Sequence, residues 1–370
     1  MTTALVLSGG GARAAYQVGV LRGISEILGP DRQPWDIICG TSAGAINAAH
    51  LAASADRADA GMRRLDEFWR GLSASDVYRT SWLSVLDSVA RIIWGTARGD
   101  PAGVPSALLD NSPLAERLAS WLDFEAIHRN IGAGAVSVLA INAMNYTTGE
   151  SVAFFEGGDA EGWRRAHRSG RATRLGLDHI MASSAIPILF PPRAIDGHYY
   201  GDGALRQLNP LSPALHLGAR RLFIIGVSAN RRSRDLPPAQ HPPTIAQMAG
   251  HLLNREFIDN LEADVEHAEK INTLLGAAGP AVSGEPGMSQ VDIYVLTPSI
   301  SFDAAASRYL DRQPGSMRLL FRLIGAHGQG AGASFASYLL FDGGFCQELI
   351  DTGYRDALDS AADIRNFLGA

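Results

Sequence analysis

The sequence predicts an α/β fold on a parallel sheet, and three observations predict it. Two short apolar runs, residues 4–7 and 35–39, each end in a glycine-bearing turn. Each turn opens into a stretch rich in helix formers, 14–28 and 43–53. Further buried-strand runs recur at 221–227 and 291–296. Strands alternating with helices build parallel sheets with helices on their faces. The chain has 370 residues, 46% of them hydrophobic and 19% charged, enough to bury a large core.

Composition removes several function classes. The net charge is −6, so no global basic field points to nucleic acid. Cys39 and Cys346 are the only cysteines, too few for a disulfide framework or a thiolate metal site. The start, residues 1–7, lacks a positively charged lead and reads as a first strand rather than a signal peptide. No run approaches the ~20 apolar residues of a membrane-spanning helix. These features make a cytoplasmic location the expectation.

Taken in order, the first strand (4–7) leads into Ser8-Gly9-Gly10-Gly11-Ala12-Arg13 and a helix closed by Gly29-Pro30. A strand, a glycine loop and a helix N-terminus aim backbone N–H groups at an anion. Gly9-x-Gly11-x-x-Ala14 fits a dinucleotide fingerprint, but the acid expected at the end of the second strand is missing. A nucleotide-hydrolase phosphate loop would need a Gly-Lys-Ser/Thr ending, which is also missing. The remaining use is an oxyanion hole, in which the N–H groups of Gly10 and Gly11 stabilise charge on a carbonyl oxygen.

The second strand favours that use. It runs into Cys39-Gly40-Thr41-Ser42-Ala43-Gly44, a G-x-S-x-G turn between a strand and a helix. Small residues at Gly40 and Gly44 let the backbone fold back sharply. Ser42 is thereby lifted off the sheet edge, and the first free N–H groups of the helix, beginning at Ala43, face whatever it attacks. In a parallel sheet the glycine loop and the serine turn open on the same edge.

Helices follow at 59–72 and across an apolar stripe from Trp82 to Trp94, which suits either core packing or a flap over a lipid site. Helices at 112–121 and 124–129 precede a hairpin of strands 135–143 and 151–155 about Thr148-Gly149. A helix over 177–186 ends at Pro187, and Asp196-Gly197 marks a two-residue hairpin whose second strand delivers Gly201-Asp202-Gly203-Ala204. Beyond it, 244–275 has a long helical pattern. The remainder reads as mainly helical, with glycine breaks at 325–332 and at Gly343-Gly344.

A nucleophilic serine needs a base. Ser42, Asp202 and His327 would satisfy the chain order of a Ser-Asp-His triad. Asp202, between glycines after an aromatic strand, can also reach a site directly, and Asp342-Gly343-Gly344 has the same form.

Gly9-Gly10-Gly11-Ala12-Arg13, Gly40-Thr41-Ser42-Ala43-Gly44 and Asp202-Gly203-Ala204 with Asn209-Pro210 stand in the order found in patatin-like phospholipases. Residues 4–228 resemble that family, including the proline-rich segment 183–192. Ala14, where the family often has glycine, is the one departure. The resemblance implies a three-layer α/β/α fold with a mostly parallel central sheet. It also implies a Ser42–Asp202 dyad without histidine, in which Ser42 attacks an ester and Asp202 moves the proton. Gly9, Gly10, Gly11 and Ala43 would form the oxyanion hole, with Arg13, Gly40, Gly44, Gly203 and Ala204 supporting the motifs. A carboxylate of pKa near ~4 is a poor base for a hydroxyl, so burial must raise it or the oxyanion hole must compensate. The implied substrate is a lipid or phospholipid, with peripheral membrane contact and no nucleic acid, metal or organic cofactor. Residues 1–228 would form the catalytic core and 229–370 continue the same domain. A nucleotide-binding oxidoreductase and a non-catalytic lipid-binding protein are the competing classes, and the three motifs together argue against both.

Overall fold

A computed structural model describes residues 1–79, 107–207, 209–228, 244–254, 260–278, 289–323 and 331–369. The Trp82–Trp94 stripe and His327 lie outside the described residues. The described chain is mixed α/β around one mostly parallel sheet. Its strands are β1 (Thr3–Leu7), β2 (Ile37–Thr41), β3 (Val138–Asn145), β4 (Ser151–Gly157), β5 (Trp163–Arg165), β6 (Arg168–Ala172), β7 (Arg193–Ile195), β8 (His198–Asp202), β9 (Arg221–Ile225) and β10 (Asp292–Leu296). Their spatial order is β10-β9-β1-β2-β3-β4-β6-β5, with β8 also paired to β3 and to β7. The run from β10 to β3 is parallel throughout. The chain winds outward from β1 in one direction through β2 and β3, and later in the other through β9 and β10. The strand order therefore reverses at β1, and ligands of open α/β sheets bind beyond the C-terminal strand ends at such a point.

Strand periodicity divides the core. Leu5, Leu7 and Ile38 join one large hydrophobic cluster with helices α1 (Ala15–Leu28) and α2 (Ala43–Ala53). Ala4, Val6, Ile37 and Cys39 point the other way, into a second cluster with Leu211, Ala214 and Leu261. Helices thus cover both faces of the sheet. On the larger face α1 lies against the helix Gly343–Asp359. A Cβ on Gly19 would come within 1.9 Å of the Ile350 carbonyl oxygen, and one on Gly353 within 2.2 Å of the Tyr16 carbonyl oxygen. Glycine on both partners is what lets these two backbones touch.

The Asp196-Gly197 hairpin forms as expected, with φ of 49° and 77° at its two turn residues. One reading of the sequence is corrected, and two strands are added to it. β5 and β6 escaped notice because Trp163-Arg164-Arg165 and Arg168-Ser169-Gly170-Arg171 lack an apolar alternation. They complete the sheet margin by pairing β6 with β4. Gly343-Gly344 is no helix break but the first turn of a helix, because the Asp342 carboxylate caps it, accepting from the N–H groups of Gly344 (3.0 Å) and Phe345 (3.1 Å). The pattern at 244–275 contains the helices Ile245–Asn254 and Asn260–Ala278. Among the described residues no helix is long and apolar enough to cross a membrane.

Candidate active site

Ser42 sits between the end of β2 and the start of α2 with φ 55° and ψ −129°. A non-glycine residue held there costs on the order of 1–3 kcal/mol and persists only where its surroundings impose it. The flanking glycines show how they do so. A Cβ on Gly44 would lie 2.5 Å from the Leu7 carbonyl oxygen and 2.7 Å from that of Ser8, and one on Gly40 would lie 2.6 Å from the Gly44 carbonyl oxygen. The elbow is therefore pressed onto the end of β1. Gly44→Ala is expected to drive the elbow and the glycine loop apart. It should cost roughly 1–3 kcal/mol of stability from overpacking and most of the reactivity of Ser42. A melting curve and the rate of labelling by a small fluorophosphonate check this, and a variant labelled at the wild-type rate would contradict it.

Asp202 ends β8, opposite Ala143 of β3. Its N–H donates to the Ala185 carbonyl at 2.9 Å. A Cβ on Gly203 would stand 2.2 Å from the Asn142 carbonyl oxygen, so the turn after Asp202 also depends on glycine. Carboxylate Oδ1 accepts from the Ala204 N–H at 3.0 Å. Oδ2 is buried and receives no hydrogen bond of ordinary geometry. Burial is the largest influence on this group and pushes its pKa up to about 7; the nearby Ser42 hydroxyl and the Ala204 N–H pull less strongly the other way. Ser42 and Asp202 are 2% and 1% exposed, so both are enclosed by protein.

The glycine loop lies beside this pair. Gly11 has φ 54°, and a Cβ there would stand 2.1 Å from the Tyr338 carbonyl oxygen. One on Gly10 would meet Val227 at 2.5 Å. The loop enters a short helical turn, Gly11–Ala14, whose first N–H groups have no intrahelical acceptor. A buried polar chain joins loop to elbow. Gln17 donates to the Ser8 carbonyl (2.8 Å), Asn47 on α2 donates to Gln17 (2.9 Å) and to the Ala14 carbonyl (3.2 Å), and the Trp69 indole donates to Asn47 (2.8 Å).

Arg13, 2% exposed, faces protein on every side. Its guanidinium donates to Ser337 (2.7 Å), to the Tyr338 hydroxyl (3.2 Å), and to the Ser334 hydroxyl (3.0 Å) and carbonyl (3.2 Å). It also pairs with Asp303 at 2.7 Å and lies 4.0 Å over the Tyr338 ring. It is therefore a clamp on the loop and not a surface cation available to a lipid phosphate. Asn254 Oδ1 also accepts from it at 3.5 Å, and the remaining partners lie between residues 303 and 338.

The structure brings Ser42 beside Asp202 and places Gly9 with Thr41 and Ala204, close to them along the chain, around one small cavity. Gly10 and Gly11 pack on Val227 and Tyr338, and Gly40, Gly44 and Gly203 lie where a Cβ would strike neighbouring backbone. Among the described residues no histidine hydrogen-bonds to Ser42 or Asp202. His50 instead stacks on Trp121, and burial pushes its pKa down to about 4. Among the described residues no group of three or more His, Cys, Asp or Glu side chains could hold a metal ion. Gln17, Asn47 and Tyr338 had no sequence signal, and Ser183 and Ser184 carried only their place in the segment 183–192, since each acts through a partner distant along the chain.

A doubly wound, mostly parallel sheet, with a serine elbow and a glycine loop at adjacent strand ends, places the chain among open-sheet α/β proteins. Comparison with known families is more specific. The family model described as "Patatin-like phospholipase" matches residues 5–215, and the chain belongs to that family. It is 29% identical over 205 residues to a cGAMP-activated phospholipase of Pseudomonas aeruginosa (strain BWHPSA011 / Pa011), a match covering 54% of this chain and 52% of that protein. It is also 29% identical over 213 residues to calcium-independent phospholipase A2-gamma of Mus musculus, covering 57% of this chain and 25% of that protein. These matches span about half of the bacterial relative and a quarter of the mouse protein. Among solved structures, human GIVD cytosolic phospholipase A2 in complex with methyl gamma-linolenyl fluorophosphonate is 12% identical with a TM-score of 0.48, covering 100% of this chain and 59% of that one.

Proposed function

We propose that the protein hydrolyses acyl esters of lipids through a Ser42–Asp202 dyad and an acyl-serine intermediate. The observation that carries this reading is the fully buried Asp202 carboxyl beside a serine on a strained elbow; burial pushes that carboxyl's pKa up to about 7. A carboxylate of that basicity is suited to take a proton at neutral pH. Ser42 Oγ attacks the ester carbonyl carbon as its proton passes to Asp202. The resulting oxyanion is met by N–H groups of the glycine loop and of Ala43. Collapse breaks the ester C–O bond, and the departing alcohol takes the proton from Asp202. Water then attacks the acyl-serine, giving its proton to Asp202, and the fatty acid leaves as that proton returns to Ser42. Membership of the phospholipase family supports a lipid substrate, and such a substrate requires approach to a lipid surface.

The test is fatty acid release from phospholipid and neutral-lipid vesicles, wild type beside Ser42→Ala. Because the bacterial relative is named as cGAMP-activated, the assay is run with and without cGAMP. Release by wild type only, with fluorophosphonate adding one mass increment at Ser42, is the expected result. A folded wild type that neither releases acid nor takes the label overturns the hydrolase reading.

A further inference from the structure

We infer that residues 183–185 form a positioning bridge between nucleophile and base, with Ser183 and Ser184 as positioning residues for the reaction proposed above, on whose dyad this inference rests. The helix Leu177–Ser183 ends beneath the elbow. Its last residue, Ser183, is fully buried and accepts the Ser42 N–H at 2.9 Å. The same hydroxyl donates to the Asn142 carbonyl on β3 at 2.6 Å. The next residue, Ser184, donates its hydroxyl to the Ser42 carbonyl at 3.2 Å. The one after that, Ala185, accepts the Asp202 N–H through its carbonyl at 2.9 Å. Three consecutive residues therefore hold the N–H of the nucleophile, its C=O, and the N–H of the base.

This arrangement bears on catalysis for two reasons. Ser42 occupies backbone space that non-glycine residues avoid, and hydrogen bonds to its own peptide groups add to the close packing of Gly40 and Gly44 that keeps it there. Spending the Ser42 N–H on Ser183 also turns it away from any bound carbonyl, which leaves the oxyanion to Ala43 and the glycine loop. Ser183 further ties the elbow to β3, the strand that carries β8 and so Asp202. Without this hydroxyl, the Ser42 N–H and the Asn142 carbonyl lose a partner in the protein interior, and the elbow can relax toward an ordinary φ. The separation of Oγ from the carboxylate would then drift, and a misplacement of about 1 Å costs on the order of 10²-fold in rate.

The experiment compares Ser183→Ala, Ser184→Ala and Ser42→Ala with wild type on a soluble p-nitrophenyl ester, recording kcat, KM, the pH–rate midpoint and the melting temperature. The expected result for Ser183→Ala is a kcat lower by about 10²-fold with KM within twofold. Ser184→Ala, which removes the longer contact, should lose roughly tenfold. In both the pH midpoint should move upward, because the Ser42 hydroxyl that now lowers the Asp202 pKa is no longer held beside it. A purely structural role would leave kcat per folded molecule and the midpoint unchanged and lower activity only in proportion to the unfolded fraction, and that result overturns the bridge. So does a kcat within twofold of wild type in both variants. If Ser183→Ala does not fold, Ser184→Ala decides. Activity remaining in Ser42→Ala would instead overturn the dyad itself, so the two failures are distinguishable.

Discussion

Asp202→Asn is expected to abolish acyl release and, at pH 8, to raise the melting temperature. Burial lifts the folded-state pKa of Asp202 from the ordinary carboxylate value of 3.8 to about 7. A raised folded pKa gives a stabilisation that is complete below pH ~4 and is lost as pH climbs toward ~7. Above that, the native state holds a buried charge at a cost of a few kcal/mol, about 1.4 for each pH unit of the shift. Asparagine keeps the shape and can still accept the Ala204 N–H through its oxygen, yet carries no charge. The variant should therefore melt higher than wild type at pH 8, and the difference should vanish near pH 4. It cannot take the Ser42 proton, so turnover should be lost at every pH. Wild-type turnover should rise as pH passes through about 7, where the base ionises. Calorimetry at pH 4, 6 and 8 beside a pH–rate profile tests both halves. A variant that melts lower at pH 8, or a wild-type rate that is flat from pH 5.5 to 8.5, would contradict the assignment of Asp202 as the base.

The motifs were legible in the sequence because each is a local demand of the backbone. Gly11 abuts the Tyr338 carbonyl, Gly40 and Gly44 let the elbow close on β1, and Gly203 lies against Asn142. At such places no other residue fits, and the requirement appears as a fixed letter in the sequence. Asp196-Gly197 was readable for the same reason, since both turn residues need positive φ. What could not be read is carried by ordinary polar residues whose partners lie far away. Ser183 meets Ser42 across 141 residues, and Arg13 meets Ser337 across 324. A hydroxyl at the end of a helix has no spacing that announces such a role. The edge strand β5 and its neighbour β6 have no apolar alternation, because the margin of the sheet tolerates their exposed and half-exposed arginines. Gly343-Gly344 reads as a break because a glycine pair opening a capped helix looks like one that ends a helix until the helix after it is seen.

Arg13→Ala should be the most destabilising single change near the glycine loop. It leaves Ser334, Ser337 and Tyr338 short of a donor in the interior and Asp303 without its cation. Breaking a buried charged pair by removing one partner typically costs on the order of 3–5 kcal/mol. Asp303 moderates this, because its side chain is 33% exposed and water can replace the guanidinium there. A fall in melting temperature of roughly 3–6 °C is expected for a chain of this length. Asp303→Asn should cost much less, since the amide oxygen still accepts and the rest of the clamp remains. Arg13→Lys should recover little, because a single ammonium cannot span Ser334, Ser337 and Asp303 or lie flat on the Tyr338 ring. Activity should fall further than stability accounts for. The clamp fixes Gly11 against Tyr338, and losing one oxyanion donor costs about 10²–10³ in rate. The decisive comparison is the fluorophosphonate labelling rate per folded molecule, measured at a temperature where both proteins are native. Labelling of Arg13→Ala at the wild-type rate would show that the loop keeps its shape without the clamp. Slow labelling of a folded variant would mean that residues 303–338, which lie outside the stretch matched to the family, hold part of the reactive geometry in place.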